Sequence, residues 1–292
     1  MEYIVAQYRI RVIGDHSDIV ACGVKGFAPF AVEADAEQTA DMVLYTDRAL
    51  DKTSFGSLTE IHSFGFEEDI AQCALYRTDS GYLFEMVKGE VVYLFAKAFD
   101  SVEVESNYAT FESIDVSLLR FGLWIMFGLC TAHLGAIAIH SSVLVKDGGA
   151  VLCLGESGTG KSTHTRLWRE NIEGTTLLND DSPIIRIVDG VPTAFGSPWS
   201  GKTPCYKNLS YPIRGFIRLS QAPYNKIRRL SVLNAIGALL PSCPPSFCYD
   251  EPLQDAICDT LSAMIASVAV YHLECLPNAE AAELSYNTIF AK

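Results

Sequence analysis

The spacing of apolar and polar residues changes character near position 110. Upstream, short β-rich runs dominate: Tyr3 to Val12, Met42 to Tyr45, Ile70 to Arg77, Tyr82 to Val87 and Val91 to Ala96. Thr78-Asp79-Ser80-Gly81 and Lys88-Gly89-Glu90 supply tight turns between the last three, which predicts a meander of antiparallel strands. Downstream, strand-like and helix-like segments alternate. A buried helix is expected from about Ile114 to Leu134, then strands at Ala136 to Val145 and Ala150 to Leu154, and a helix at Ser162 to Glu170. A strand follows at Thr175 to Leu178, then a hairpin of Ile184 to Val188 and Val191 to Phe195 about Asp189-Gly190. The pattern closes with a strand at Ile213 to Leu219, helices at Ser231 to Leu240 and Asp250 to Ser267, a strand at Val268 to Glu274, and a helix at Asn278 to Phe290.

These elements predict two domains, an acidic, mostly-β one over 1–110 and an α/β one over 111–292. The charge is divided in the same way. Of the net −13, residues 1–110 hold 8 Lys+Arg against 19 Asp+Glu, leaving 14 against 16 for the remainder. No basic stripe is concentrated anywhere, which argues against a nucleic-acid or anionic-membrane partner, and Lys226 with Arg228-Arg229 reads as a solvated face. Phe121 to Ile139 is nearly long enough to span a bilayer, but it contains His133 and three glycines and runs into a strand-like stretch, so a buried helix is the expectation. The N-terminus has Glu2 and Arg9 where a signal peptide needs an apolar core. Nine scattered cysteines without a C-x-x-C pair read as reduced thiols, and a cytoplasmic protein is expected. A zinc site from Cys243, Cys248, Cys258 and His272 fits ligand spacing poorly.

Candidate chemistry centres on Gly155-Glu156-Ser157-Gly158-Thr159-Gly160-Lys161-Ser162-Thr163, which fills the phosphate-loop pattern G-x-x-x-x-G-K-[ST] (Walker A) between a predicted strand and a predicted helix. Glycines free backbone N–H groups to wrap phosphates and the helix N-terminus favours anions. Lys161 places a point charge near the β- and γ-phosphates, and the Ser162 hydroxyl suits Mg2+. The strand Thr175 to Leu178 ends in Asn179-Asp180-Asp181. One carboxylate there can serve the metal and another can accept a proton from an attacking hydroxyl. His140 ends the apolar run Ala136 to Ile139, at the end of its expected hairpin that also delivers the phosphate loop. Gly196-Ser197-Pro198-Trp199-Ser200-Gly201-Lys202 forms another glycine-and-lysine loop, with Lys202 as an additional phosphate clamp.

Together I-H-S-S-V-L-V, G-E-S-G-T-G-K-S-T and L-L-N-D-D resemble the catalytic half of HPr kinase/phosphorylase, a serine kinase built on a phosphate loop, over about residues 136–185. The loop and its Asp-Asp strand are also similar to phosphoenolpyruvate carboxykinase. The resemblance implies an α/β P-loop core of the HPr kinase/PEP carboxykinase nucleotide-binding type, preceded by the mostly-β domain. It implies ATP and Mg2+ as cofactors, His140 as the catalytic-site histidine, Lys161 as the phosphate-loop lysine, Ser162 and Asp181 at the metal, and Asp180-Asp181 as the pair holding the general base, which of the two being open. The family's downstream R-G-x-G loop with its glutamate is not matched; G-S-P-W-S-G-K stands there. The expected function is a kinase moving the γ-phosphoryl group of ATP to a hydroxyl, Ser or Thr of a protein or peptide. Two alternatives are a nucleotide-binding sensor or assembly module without turnover, and a carboxykinase-like enzyme. The acceptor and any homo-oligomer are left open.

Overall fold

Tight turns with both central residues at positive φ set the architecture. Ala6-Gln7 (φ 50° and 69°), Asp147-Gly148 (48° and 71°) and Asp189-Gly190 (48° and 79°) have the handedness that two-residue hairpins need. In a computed structural model describing residues 1–66, 70–156, 158–201 and 203–290, the chain divides into two compact units. One is Met1–Leu134 with Ser246–Leu253, the other Gly135–Pro245 with Gln254–Lys292.

The first unit holds strands β1 (Glu2–Val5), β2 (Tyr8–Ile13), β3 (Ala31–Val32), β4 (Met42–Tyr45), β5 (Thr59–Phe66), β6 (Ala71–Arg77), β7 (Gly81–Lys88), β8 (Val91–Ala98) and β9 (Glu103–Ser106). They form one nine-stranded sheet in the order β3-β1-β2-β4-β9-β8-β7-β6-β5, and β5 to β9 form the expected antiparallel meander with an extra strand at each end. Besides the single turn α1 (Ile19–Cys22), the unit contains α2 (Val116–Thr131), capped by Asp115, whose carboxylate accepts from the N–H groups of Ser117 and Leu118. Gly122 lets α2 lie against the β8 side chain Phe95; a Cβ there would sit 2.5 Å from the ring. Val116–Leu134 is long and apolar enough to cross a membrane by length and composition, and 67% of its apolar window is buried inside the fold. Arg77 and Tyr82 both bond the Asp250 carboxylate, at 2.6 and 2.9 Å.

The second unit holds β10 (Ala136–Ala138), β11 (Ser141–Lys146), β12 (Gly149–Leu154), β13 (Thr176–Asp181), β14 (Ile184–Val188), β15 (Val191–Phe195), β16 (Ser210–Gln221), β17 (Lys226–Arg229) and β18 (Val270–Cys275). Its helices are α3 (Lys161–Asn171), α4 (Val232–Leu239) and α6 (Ala279–Phe290), while α5 (Glu251–Ile265) has residues in both units. The second sheet runs β10-β14-β15-β16-β12-β11-β13, with β18 beside β16 and β17 beside β18. Trp168 of α3, Ala282 of α6 and the strand residues Leu144, Val151, Cys153, Ile217 and Leu273 make its core.

The sequence-based fold class is corrected here. The molecule is two large mixed sheets of nine strands each with few helices, not a helix-flanked α/β P-loop core. A parallel sheet flanked by helices needs a crossover helix between successive strands. Among the described residues between Ala136 and Gln221, α3 is the one helix among seven strands, and glycine turns fold β11 onto β12 and β14 onto β15 as antiparallel hairpins. In the second sheet the parallel pairs are β12 with β16 and β16 with β18, and in the first they are β2 with β4 and β4 with β9.

Candidate functional site

The fully buried strand β12 delivers residues 155 to 160 to the N-terminus of α3. Gly158 and Gly160 have φ of 81° and 102°, and a Cβ at either would meet nothing within 4 Å, so conformation rather than crowding calls for glycine. The loop closes on itself, with Thr159 donating from N and Oγ1 to the Glu156 carbonyl at 3.2 and 2.8 Å. Lys161 Nζ donates to the carbonyls of Gly155 (2.5 Å) and Glu156 (3.3 Å). Burial pushes the Lys161 pKa down by stripping water from the ammonium, opposed by the charges of Asp181 and Asp180. Ser157 and Lys202 lie outside the described residues.

The two acids stand inside β13 rather than after it. β13 pairs with β11, where Asp180 faces Ser142 and Asp181 faces Ser141. The Ser142 hydroxyl donates to Asp180 Oδ1 at 2.5 Å. Neighbouring strand residues point to opposite faces, so Asp181 turns elsewhere: its Oδ1 is 3.2 Å from His140 Nδ1. Register breaks between Val143 and Leu144, which pair with Asn179 and Leu177, so Leu178 is the extra residue of a bulge just before the acids. The predicted strand Ala136 to Val145 is two strands that pair with different neighbours, and His140 stands in the break. Its N–H donates to the Ser242 carbonyl at 2.6 Å, and that of Ile139 to Pro183 at 3.1 Å, so the half-exposed imidazole sits on a backbone held from both sides.

The segment 197–201 is tied to this strand end. Asn179, fully buried, donates from Nδ2 to the carbonyl of Trp199 (3.1 Å) and the hydroxyl of Ser197 (3.3 Å), and accepts at Oδ1 from the Ser182 N–H (3.1 Å). Ser197 Oγ donates to the Ser182 carbonyl at 2.6 Å, and the Gly201 N–H donates to the Asp180 carbonyl at 2.6 Å. Sequence reasoning gave Asn179, Ser142 and Ser197 no role. The available signal was an amide and a hydroxyl inside otherwise apolar strand runs, where a buried polar group must find partners.

Ser162 and Asp180 face a common cavity of about 300 Å³, with Arg166, Arg169 and Thr203 also on its wall. Among the described residues no group of three His, Cys, Asp or Glu is placed to hold a metal ion by itself, Cys243, Cys248, Cys258 and His272 included. One hydroxyl and one carboxylate facing a cavity fit a Mg2+ that arrives with phosphates, since that ion keeps several waters and takes few protein oxygens. His140, Lys161, Asp180 and Asp181 are thus in one neighbourhood, at the end of β13 and the start of α3.

No family model matches the chain, and no curated protein matches it. Among solved structures, the HPr(Ser) kinase/phosphatase from Coxiella burnetii is similar over 50% of this chain and 89% of that one, at 13% identity and a TM-score of 0.29. At that TM-score the likeness carries no argument about this chain's fold or activity.

Proposed function

We propose that the second unit is an ATP-dependent, Mg2+-requiring phosphotransferase that moves the γ-phosphoryl group to a hydroxyl, Ser or Thr of a protein or peptide. One observation carries the reading: two adjacent carboxylates, one fastened by Ser142 and the other by His140, act on the ammonium of a phosphate-loop lysine. A phosphate loop alone binds nucleotide; a loop facing a held acid pair has what an in-line transfer to a hydroxyl requires.

Asp181, oriented by His140, accepts the proton of the attacking hydroxyl, whose oxygen forms the new bond to the γ-phosphorus. The bond from that phosphorus to the β,γ-bridging oxygen breaks, and its electron pair leaves on ADP. Lys161 exchanges its two loop carbonyls for phosphate oxygens as charge builds on them. Ser162 and Asp180 would hold Mg2+, which when bound supplies neutralising charge to the phosphates. Assigning the metal contact to Asp180 rather than Asp181 follows from the cavity it shares with Ser162. Lys202 stays in the reading as a further clamp.

ADP release from MgATP separates the roles. Asp181→Asn should lower kcat by about 10²- to 10⁴-fold with ADP affinity retained, and Asp180→Asn should raise the Mg2+ concentration needed for half-maximal rate. Full turnover in the Asp180→Asn, Asp181→Asn double variant would overturn the proposal.

A further inference from the structure

Strands β12, β16 and β18 run parallel and end on one edge of the second sheet, at Leu154, Gln221 and Cys275. Beside the phosphate loop on that edge lies a cavity of about 580 Å³, within the range of about 300–1,000 Å³ typical of small-ligand sites. Gly158 and Gly160 open onto it, Leu167, Leu219 and Leu276 give it apolar walls, and the side chains of Thr159, Thr163, His164 and Gln221 add polar groups to the lining.

His164 is 3% exposed, and its Nε2 lies 3.1 Å from the Trp168 indole nitrogen and 3.2 Å from Ser285 Oγ. The indole N–H also donates to Ser285 Oγ at 2.8 Å, so the three side chains hold one another and fix the imidazole at the cavity wall. Gln221 is oriented as well. Its Nε2 donates to the Gly158 carbonyl at 3.0 Å, a bond that only the amide nitrogen can make, so Oε1 is left to accept.

We propose that this cavity holds the nucleoside of the phosphoryl donor and selects adenine over guanine. The proposal rests on the phosphate-loop reading above. The apolar walls suit the faces of a planar base. The Gln221 acceptor matches the edge of adenine that presents N6 as a donor beside N7 as an acceptor. The same edge of guanine presents two acceptors, N7 and O6, and sets O6 against Gln221 Oε1.

Calorimetry on the full chain with Mg2+ and three probes, ADP, GDP and inorganic tripolyphosphate, tests this. The wild type should bind ADP at least about tenfold more tightly than tripolyphosphate and about 5- to 150-fold more tightly than GDP, the discrimination expected of one correctly paired base edge. Ala222→Trp, at the cavity wall, should bring ADP to the tripolyphosphate affinity and leave tripolyphosphate within about twofold. The Gln221 side chain is exposed, so Gln221→Leu leaves the core intact and should bring the ADP-to-GDP ratio close to one even if the tryptophan variant does not fold. Equal affinity for all three probes in the wild type would overturn the nucleoside pocket and leave the phosphate loop standing. Equal ADP and GDP affinities, or tighter GDP, would overturn the base assignment, and binding of none of the probes would overturn both the pocket and the phosphate-loop reading.

Discussion

His164 should make the second unit acid-sensitive in a way that one substitution removes. Burial lowers its pKa from 6.5 to about 4, because the imidazolium would lose its hydration and gain no anionic partner. With the folded value below the unfolded one, the unfolded chain binds more protons between the two. Stability from this group is therefore whole above about pH 6.5 and falls as pH drops toward 4, below which the loss is complete. At about 1.36 kcal/mol per pK unit the gap is worth about 3 kcal/mol in full, and about 2 kcal/mol by pH 5. The assay is urea unfolding at pH 7, 6 and 5, followed by the fluorescence of Trp168 and Trp199, both in the second unit, in a Trp124→Phe background, which deletes the indole of the first unit. His164→Phe removes the titration, while Trp168 Nε1 keeps its bond to Ser285 Oγ at 2.8 Å. Carboxylates elsewhere contribute equally to both proteins and cancel in the difference. The wild type should lose about 2 kcal/mol more than His164→Phe between pH 7 and 5. Parallel pH dependences would refute the placement of His164 as a buried neutral imidazole.

Asn179→Ala should remove the bonds that its amide makes to the Ser197 and Trp199 carbonyls and to the Ser182 N–H, at a cost of about 1–3 kcal/mol, with the Trp199 carbonyl still accepting from Ser197 Oγ. It should also lower kcat more than ADP affinity, since it loosens segment 197–201 beside Asp180; unchanged melting and turnover would contradict the tie. Trp168→Ala should remove about 3–5 kcal/mol from the second unit, the cost of an unfilled cavity against α6, read as a drop in urea midpoint. Gly122→Ala should destabilise the first unit by about 1–2 kcal/mol despite the better helix propensity of alanine, because its Cβ meets the buried Phe95 ring; a raised midpoint would show that the ring gives way.

Local structure was more legible in the sequence than topology. The strand, glycine-rich segment and helix were readable because they lie within one short stretch, and the structure has β12 followed by α3 in that order. The Asp189-Gly190 hairpin was readable for the same reason. Sheet order was not, because pairing partners are distant in sequence: β12 lies between β11 and β16, and β16 reaches β15, β12 and β18 through different stretches of its twelve residues. A strand run gives no direction, and alternation of elements suggested a parallel, helix-flanked sheet that the antiparallel hairpins overturn. The break at His140 escaped the pattern because Ala136 to Val145 is apolar enough to read as one strand. The hydrogen bonds that split it come from Pro183 and Ser242, far along the chain. His164 and Gln221 could not be singled out as residues, since a histidine on a helix and a glutamine at a strand end acquire meaning only from the cavity between them.

The most direct test of the central claim is transfer of label from γ-radiolabelled ATP, with Mg2+, to proteins and peptides of a cell extract freed of small molecules. Wild type should label one acceptor with an acid-stable, alkali-labile phosphate ester, and both Lys161→Ala and the Asp180→Asn, Asp181→Asn double variant should label none. Absence of transfer by a wild-type protein that still binds ADP in the calorimeter would contradict the kinase account and leave a nucleotide-binding sensor in its place.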